Sequence, residues 1–565
     1  MRDTNRTWLS IGLASLLIGG VLFWLFQADF QMTFSGLAGA AGLLMLLPVG
    51  LLLLTASGFP TDESEAALAA TTGLVIWAIA VLAYFGAGFA FQFGGLANIS
   101  RQADFADLYW NWSPLSASYG LGWGVIGLRG WGLLGQAGTP GVYDLFLRHI
   151  ALLGVVVIIP AFNLYRRLNV AGMVLFGILS GTLIYPLIGN WIWSGGWLMN
   201  LGLTLGLGHG FVDAGVATPL AVAGIISLAA AVVFGRRQPV AGDNGPAGGR
   251  ADEAASFVEI PMPPAYRLLL ALFGLGLILW SWPFITTVAH IPASASIGAA
   301  APIDAARAAL NGVLSALTAA LAAALYSHFT TVAFNPLMAL RGAVAGLVAV
   351  STVAPFIPPW QAVVVGALVG LLTPLLIYLV DHILKLQDAT ASIAIFAFTG
   401  FLAWLLPGLL ADGSGGAGWS NVGMEAYLNV EGQGISGLLV ATGYAPDWPG
   451  QLQAQLLGAA AVFGWSFLIA FVYFEGYRRL APWLATRSSG SEVAADDMQL
   501  AQMGGEALVT AASLDGHMIT ADLPSLHGQS ARDAVGDNNS AGSEGDVAEP
   551  ELDEGNLEEG NSQQD

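Results

Sequence analysis

The chain has 565 residues, of which 55% are hydrophobic and only 10% charged, against about 45–50% and about 25% in soluble domains. That balance excludes a string of soluble domains and predicts a polytopic membrane protein. With no cysteine, disulfides, thiolate metal centres and cysteine nucleophiles are excluded as well. The net charge of −20 belongs to one end of the chain: residues 491–565 hold 17 acids and one base, leaving 21 acids and 17 bases before them.

A helix needs about 20 apolar residues to cross roughly 30 Å of hydrocarbon. Runs of that size predict twelve helices, near 8–26, 37–57, 69–94, 149–165, 170–190, 214–234, 267–289, 306–328, 337–356, 360–380, 390–410 and 455–476. The first run follows Arg2 and Arg6 and reads either as an extra helix or as a signal peptide. Residues 95–147, rich in Trp, Gly and Tyr, form a long outer loop read as an ordered cap. A Pro/Gly/Asp-rich stretch at 238–262 divides the core into halves. From 488 onward the composition is that of an acidic, disordered tail. With the N-terminus inside, thirteen Arg and Lys residues lie on the cytoplasmic side, and four (Arg101, Arg129, Arg148 and Arg307) lie outside. This places the protein in the plasma or inner membrane with its C-terminus cytoplasmic.

The spans hold almost no ionisable groups, and Asp213 is the only acid placed near membrane depth. Ion-coupled transporters need such groups to carry or relay the ion, so an apolar path suits a small neutral or desolvated solute. No nucleophile elbow, phosphate loop or metal-ligand spacing is present, which excludes a soluble-type enzyme. No cofactor, metal or nucleic acid is expected.

Three stretches are more specific: Tyr185–Leu198 (YPLIGNWIWSGGWL), Gly208–Pro219 (GHGFVDAGVATP) closing on Gly235–Arg237, and Arg341–Ser351 (RGAVAGLVAVS). A Trp-Ser pair follows in the last span, within Gln451–Val472. In this order and spacing the chain resembles the ammonium transporter, methylammonium permease and Rhesus protein family over residues 37–487. The resemblance implies an all-α membrane bundle of eleven helices, two inverted five-helix halves plus a last one, with 1–36 as an N-terminal addition and 488–565 as the tail. It also implies a homotrimer in the lipid bilayer, each subunit with a narrow hydrophobic pore for ammonium or ammonia. In the family, a vestibule tryptophan recruits the cation, two phenylalanines gate the pore, and two facing histidines handle the proton.

Carried over residue by residue, Trp193 matches the vestibule tryptophan and Asp213 the aspartate beside it. Asp213 reads first as a helix cap and Trp193 alternatively as an interfacial anchor. The first pore histidine falls on Leu220, with Pro219 or Ala221 as alternatives, and the second on Phe396. The gating phenylalanines fall on Arg148 and Leu152. His290 lies close to a vestibule serine of the family, and His149 adjoins the altered gate; each reads more simply as an interfacial residue. The expected function is passage of ammonium, ammonia or a similarly small solute. A non-conducting ammonium sensor and a channel for another neutral solute are the alternatives. A cytoplasmic regulatory protein at the inner face or tail is a further expected partner.

Overall fold

A computed structural model describes residues 41–58, 63–100, 102–116, 122–235, 265–286, 305–331, 334–386, 388, 390–414, 419, 422–423 and 425–488. All of them lie in the first of the chain's two units, Met1–Glu506. The expected helix at 8–26, the linker at 238–262, His290 and the acidic tail fall outside the described residues.

Among the described residues, nine helices are long and apolar enough to cross a membrane: α2 (Ser64–Asn98), α3 (Pro140–Leu164), α4 (Val170–Trp193), α5 (Ala217–Phe234), α6 (Tyr266–Phe284), α7 (Ala305–Thr330), α9 (Pro359–Ile383), α10 (Ile393–Leu410) and α11 (Gly450–Leu480). Two shorter apolar helices, α1 (Ala41–Ser57) and α8 (Pro336–Val350), complete the set. The caps explain the boundaries. Thr139 accepts from Val142 N at the start of α3, with Pro140 in the first turn. Asn169 does the same for α4 and Asn335 for α8. An N-cap side chain satisfies one of the donors that the first turn leaves open.

The expected start of α3 at 149 is corrected to Pro140. The Thr-Pro start signal outweighs the polar residues that follow it, because Asp144 and Arg148 satisfy each other one turn apart. Arg148 therefore lies within a helix and is 2% exposed, not in an outer loop. The expected helix 337–356 ends at Val350, where the chain tightens into a short turn at Ala354–Phe356.

Contacts repeat between α1–α5 and α6–α10. The pairs α2–α3, α2–α4, α1–α3 and α3–α5 recur as α7–α8, α7–α9, α6–α8 and α8–α10. Five is odd, so the second half begins at the opposite end from the first, which makes the repeat inverted. The halves join along α1–α6 and α5–α10, and α11 packs on α5 and α10. Glycines set both joints. A Cβ on Gly50 would lie 2.6 Å from the Gly274 carbonyl, and one on Gly274 2.7 Å from that of Gly50. On the other joint, Gly224 meets the backbone of Ala397 and Gly400 meets Ala221. Such close approach brings backbones together where no hydrophobic effect drives helix association.

Among the described residues, long connections gather at one end of the bundle. Residues 102–139 carry a short antiparallel pair, Asn111–Trp112 with Ile126–Gly127. Gly124 bridges to Gly196 after α4, and Arg307 of α7 pairs with Asp412 after α10. Expecting an ordered segment between α2 and α3 agrees with this, although it ends at 139 and not 147.

Candidate functional site

Two helices loosen where they cross. α2 widens into a π-turn at Tyr84–Gly88, and α4 does so at Ser180–Ile184. A Cβ on Gly88 would lie 2.0 Å from the Gly181 carbonyl, so the two π-turns are pressed together. Single π-turns re-aim side chains and are frequent at functional sites. Here Tyr84 opens one turn and Tyr185 follows the other, and both rings are buried.

Tyr185, and Gln92 beside Tyr84, lie against His149 of α3, which is 0% exposed. His149 Nδ1 lies 2.6 Å from Tyr185 Oη and 3.0 Å from Gln92 Nε2. Tyr84 Oη donates to Gln92 Oε1 at 2.7 Å, and Asn190 Nδ2 donates to the Gln92 carbonyl at 2.8 Å. Gly189 leaves the room this needs, since a Cβ there would lie 2.2 Å from Gln92 Nε2. Phe93 packs edge-on to the imidazole at 4.7 Å, and Trp193 lies 5.8 Å from it. His149 Nε2 is buried without a hydrogen-bond partner.

Trp193 is buried, and its Nε1 donates to the Asp213 carbonyl at 3.2 Å. The Asp213 carboxylate accepts from Gly215 N at 3.0 Å and from Thr218 N at 2.8 Å. Asp388 serves α10 in the same way, accepting from Ser392 N and Ile393 N at 2.9 and 2.5 Å. Asp213 thus holds backbone donors where α5 begins, ahead of its N-cap residue Val216, with a counterpart in the other half.

Residues 35–504 match the sequence profile of the Ammonium Transporter Family. The chain belongs to the ammonium transporter family. Among its relatives is the ammonium transporter Amt2 of Archaeoglobus fulgidus, 24% identical over 461 residues, covering 81% of this chain and 83% of that protein. The ammonium transporter of Bacillus subtilis is 23% identical, with 68% of this chain and 83% of that protein covered. Among solved structures, the Sensor Amt Protein superposes with a TM-score of 0.57 at 19% identity, over 79% of this chain and 92% of that one. Candida albicans Mep2 gives 0.56 at 20%, over 79% and 84%. At these identities the structures speak for the fold. Like its relatives, the protein is a multi-pass membrane protein and not an enzyme.

Within the family fold, Leu220 and Phe396 lie at the α5–α10 joint. Ala221 meets Gly400 and Gly224 meets Ala397, so a two-fold pairs Ala221 with Ala397 and Gly224 with Gly400. The same offset carries Leu220 onto Phe396. The two side chains are 2% and 3% exposed. Of the positions matched to the gate, Leu152 is enclosed in the core and Arg148 donates to Asp144 at 2.5 Å. Neither carries a ring; the ring against His149 is Phe93, from α2. The structure therefore brings His149, Trp193 and Asp213 together and buries Leu220 and Phe396 at the α5–α10 joint. The expectation of an interfacial His149 is corrected, because the early start of α3 and the side chains of Gln92, Phe93, Tyr185 and Trp193 enclose it. Sequence reading missed Tyr84, Gln92 and Phe93. A lone glutamine in the apolar run of α2 was the available signal, but the π-turns that aim it leave no pattern. No group of three or more His, Cys, Asp or Glu that could hold a metal occurs among the described residues.

Proposed function

We propose that the protein passes ammonia across the membrane through a narrow apolar path beside α5 and α10, one path per subunit. The observation carrying this is the apolar pair Leu220 and Phe396, related by the internal two-fold at the centre of a family fold. Stripping water from an ammonium ion without a charged or hydrogen-bonding partner costs many kcal/mol. One cation–π contact at Trp193 returns only about 0.5–2 kcal/mol. Neutral ammonia, with the proton left behind, avoids that penalty.

The assembly is a homotrimer. Large apolar residues exposed on α2 and α4, among them Leu74, Leu82, Phe85, Leu175 and Ile178, suit burial against lipid or neighbouring subunits. The balance of Arg and Lys supports a cytoplasmic C-terminus in the plasma or inner membrane, and a regulatory protein would meet the inner face or tail.

Proteoliposomes given an ammonium gradient test the reading. Expected is an internal pH change well above that of empty vesicles, with permeability following the un-ionised fraction as pH rises and little or no transient current. A robust ammonium current would overturn neutral passage, and permeability equal to empty vesicles would overturn transport. Placing histidine at both Leu220 and Phe396 should bring current up from that baseline.

A further inference from the structure

The apolar centre raises the question of where a nitrogenous solute finds its polar contact. The described core offers one buried ring nitrogen beside Trp193, His149 Nε2. The groups around it fix its character. Tyr84 Oη donates to Gln92 Oε1, which turns the amide nitrogen of Gln92 toward His149 Nδ1 at 3.0 Å. An amide nitrogen only donates, so Nδ1 accepts, and the neutral ring carries its proton on Nε2. Tyr185 Oη, 2.6 Å from the same Nδ1, adds a second donor. The titratable group against the ring is Tyr185 from α4; Tyr84 from α2 stands behind it against Tyr185 and Gln92, and Arg148, paired with Asp144, is the charged neighbour on α3 itself.

A buried N–H without an acceptor is costly to keep. It is complementary to a lone pair, which ammonia and small amines possess and ammonium lacks. We infer that His149 is a solute-binding residue of this protein, its Nε2–H donating to the lone pair of un-ionised ammonia between Phe93 and Trp193, with Gln92 and Tyr185 as positioning residues that hold the ring in that form. This rests on the transport reading for its solute and replaces with one neutral donor what the family places at two histidines.

The test uses the full-length protein in proteoliposomes with His149→Phe, which keeps a ring and removes the donor, and His328→Gln as a control on an exposed helix end. Expected is a roughly tenfold loss of ammonia permeability in His149→Phe, the scale of one buried hydrogen bond, with monodisperse protein of ordinary melting behaviour. The control should behave as wild type. Unchanged permeability in His149→Phe overturns the inference. A second readout does not depend on transport: in 15N-histidine-labelled protein, the His149 signal, identified by its loss in His149→Phe, should show a protonated Nε2. That signal should move with ammonium chloride at alkaline pH and not with sodium chloride. If wild type conducts nothing yet the signal moves, the transport reading fails and the site stands. An unprotonated Nε2, or a signal indifferent to ammonium chloride, overturns the site. If His149→Phe does not fold, the labelled wild-type spectrum decides alone, its buried histidine signals being tested for the same response.

Discussion

Asp213 and Asp388 open α5 and α10 with the same device, a buried carboxylate spanning two backbone N–H groups. That duplication argues that the aspartate serves the helix before it serves any solute. Replacing Asp213 with alanine strands two buried donors and should remove about 2–4 kcal/mol of stability. Asparagine can satisfy one of the two and should fall between. Thermal unfolding in detergent checks the order, and permeability measured on the folded fraction should change little in Asp213→Asn. A large loss of permeability in that variant, with stability nearly kept, would return Asp213 to the solute path. Asp213 was readable in the sequence as a cap at the start of a helix expected from 214, and the helix itself begins at Ala217. His149 was not readable as enclosed, because its covering residues come from α2 and α4, far along the chain.

Between elements, the loop after α4 is locked to the first turn of α11 and to the loop before it. His209 N donates to Gln451 Oε1 at 2.8 Å, and the His209 ring lies 4.1 Å from that of Tyr427. Tyr427 Oη in turn donates to Asp447 at 2.9 Å. Neither ring nitrogen of His209 has a hydrogen-bond partner, and burial holds its pKa down from 6.5 to about 4. A base whose folded pKa lies below its unfolded value stabilises the fold above the unfolded pKa and loses that contribution as pH falls. The loss here begins near pH 6.5, is complete near pH 4, and amounts to about 3 kcal/mol. Burial raises the Asp447 carboxyl, which works in the opposite sense, so the comparison with His209→Phe isolates the histidine. The melting temperature of wild type should fall more steeply than that of His209→Phe between those pH values. Parallel curves would remove His209 as the cause.

At the scale of the molecule, the described core is closed by contacts among its own helices and by its end loops. The 17 acids and single base of residues 491–565 give that segment no apolar period with which to add to it. Truncation at Val509 should leave membrane insertion and trimer assembly unchanged, read by native mass and by the melting curve. Loss of folded protein would show that the tail supports the core. A stable monomer from the full chain in mild detergent would instead count against the trimer.

Composition and apolar run length decided membrane residence and the division into halves, because each span must satisfy its own backbone inside lipid and so announces itself along the chain. Short-range chemistry also marked some starts, such as Thr139-Pro140 and Asp213, even where the boundary of α3 was read nine residues late. The family motifs at Trp193 and in the RGAVAGLVAVS stretch gave the fold. Tertiary structure decided which polar groups meet: two π-turns, pressed together where α2 crosses α4, set Tyr84 on Gln92 and Tyr185 on a histidine of α3. Such a meeting depends on the angle and register of three helices, set by contacts such as Gly88 on Gly181 and Gly189 on Gln92, and no periodicity within any one helix encodes it.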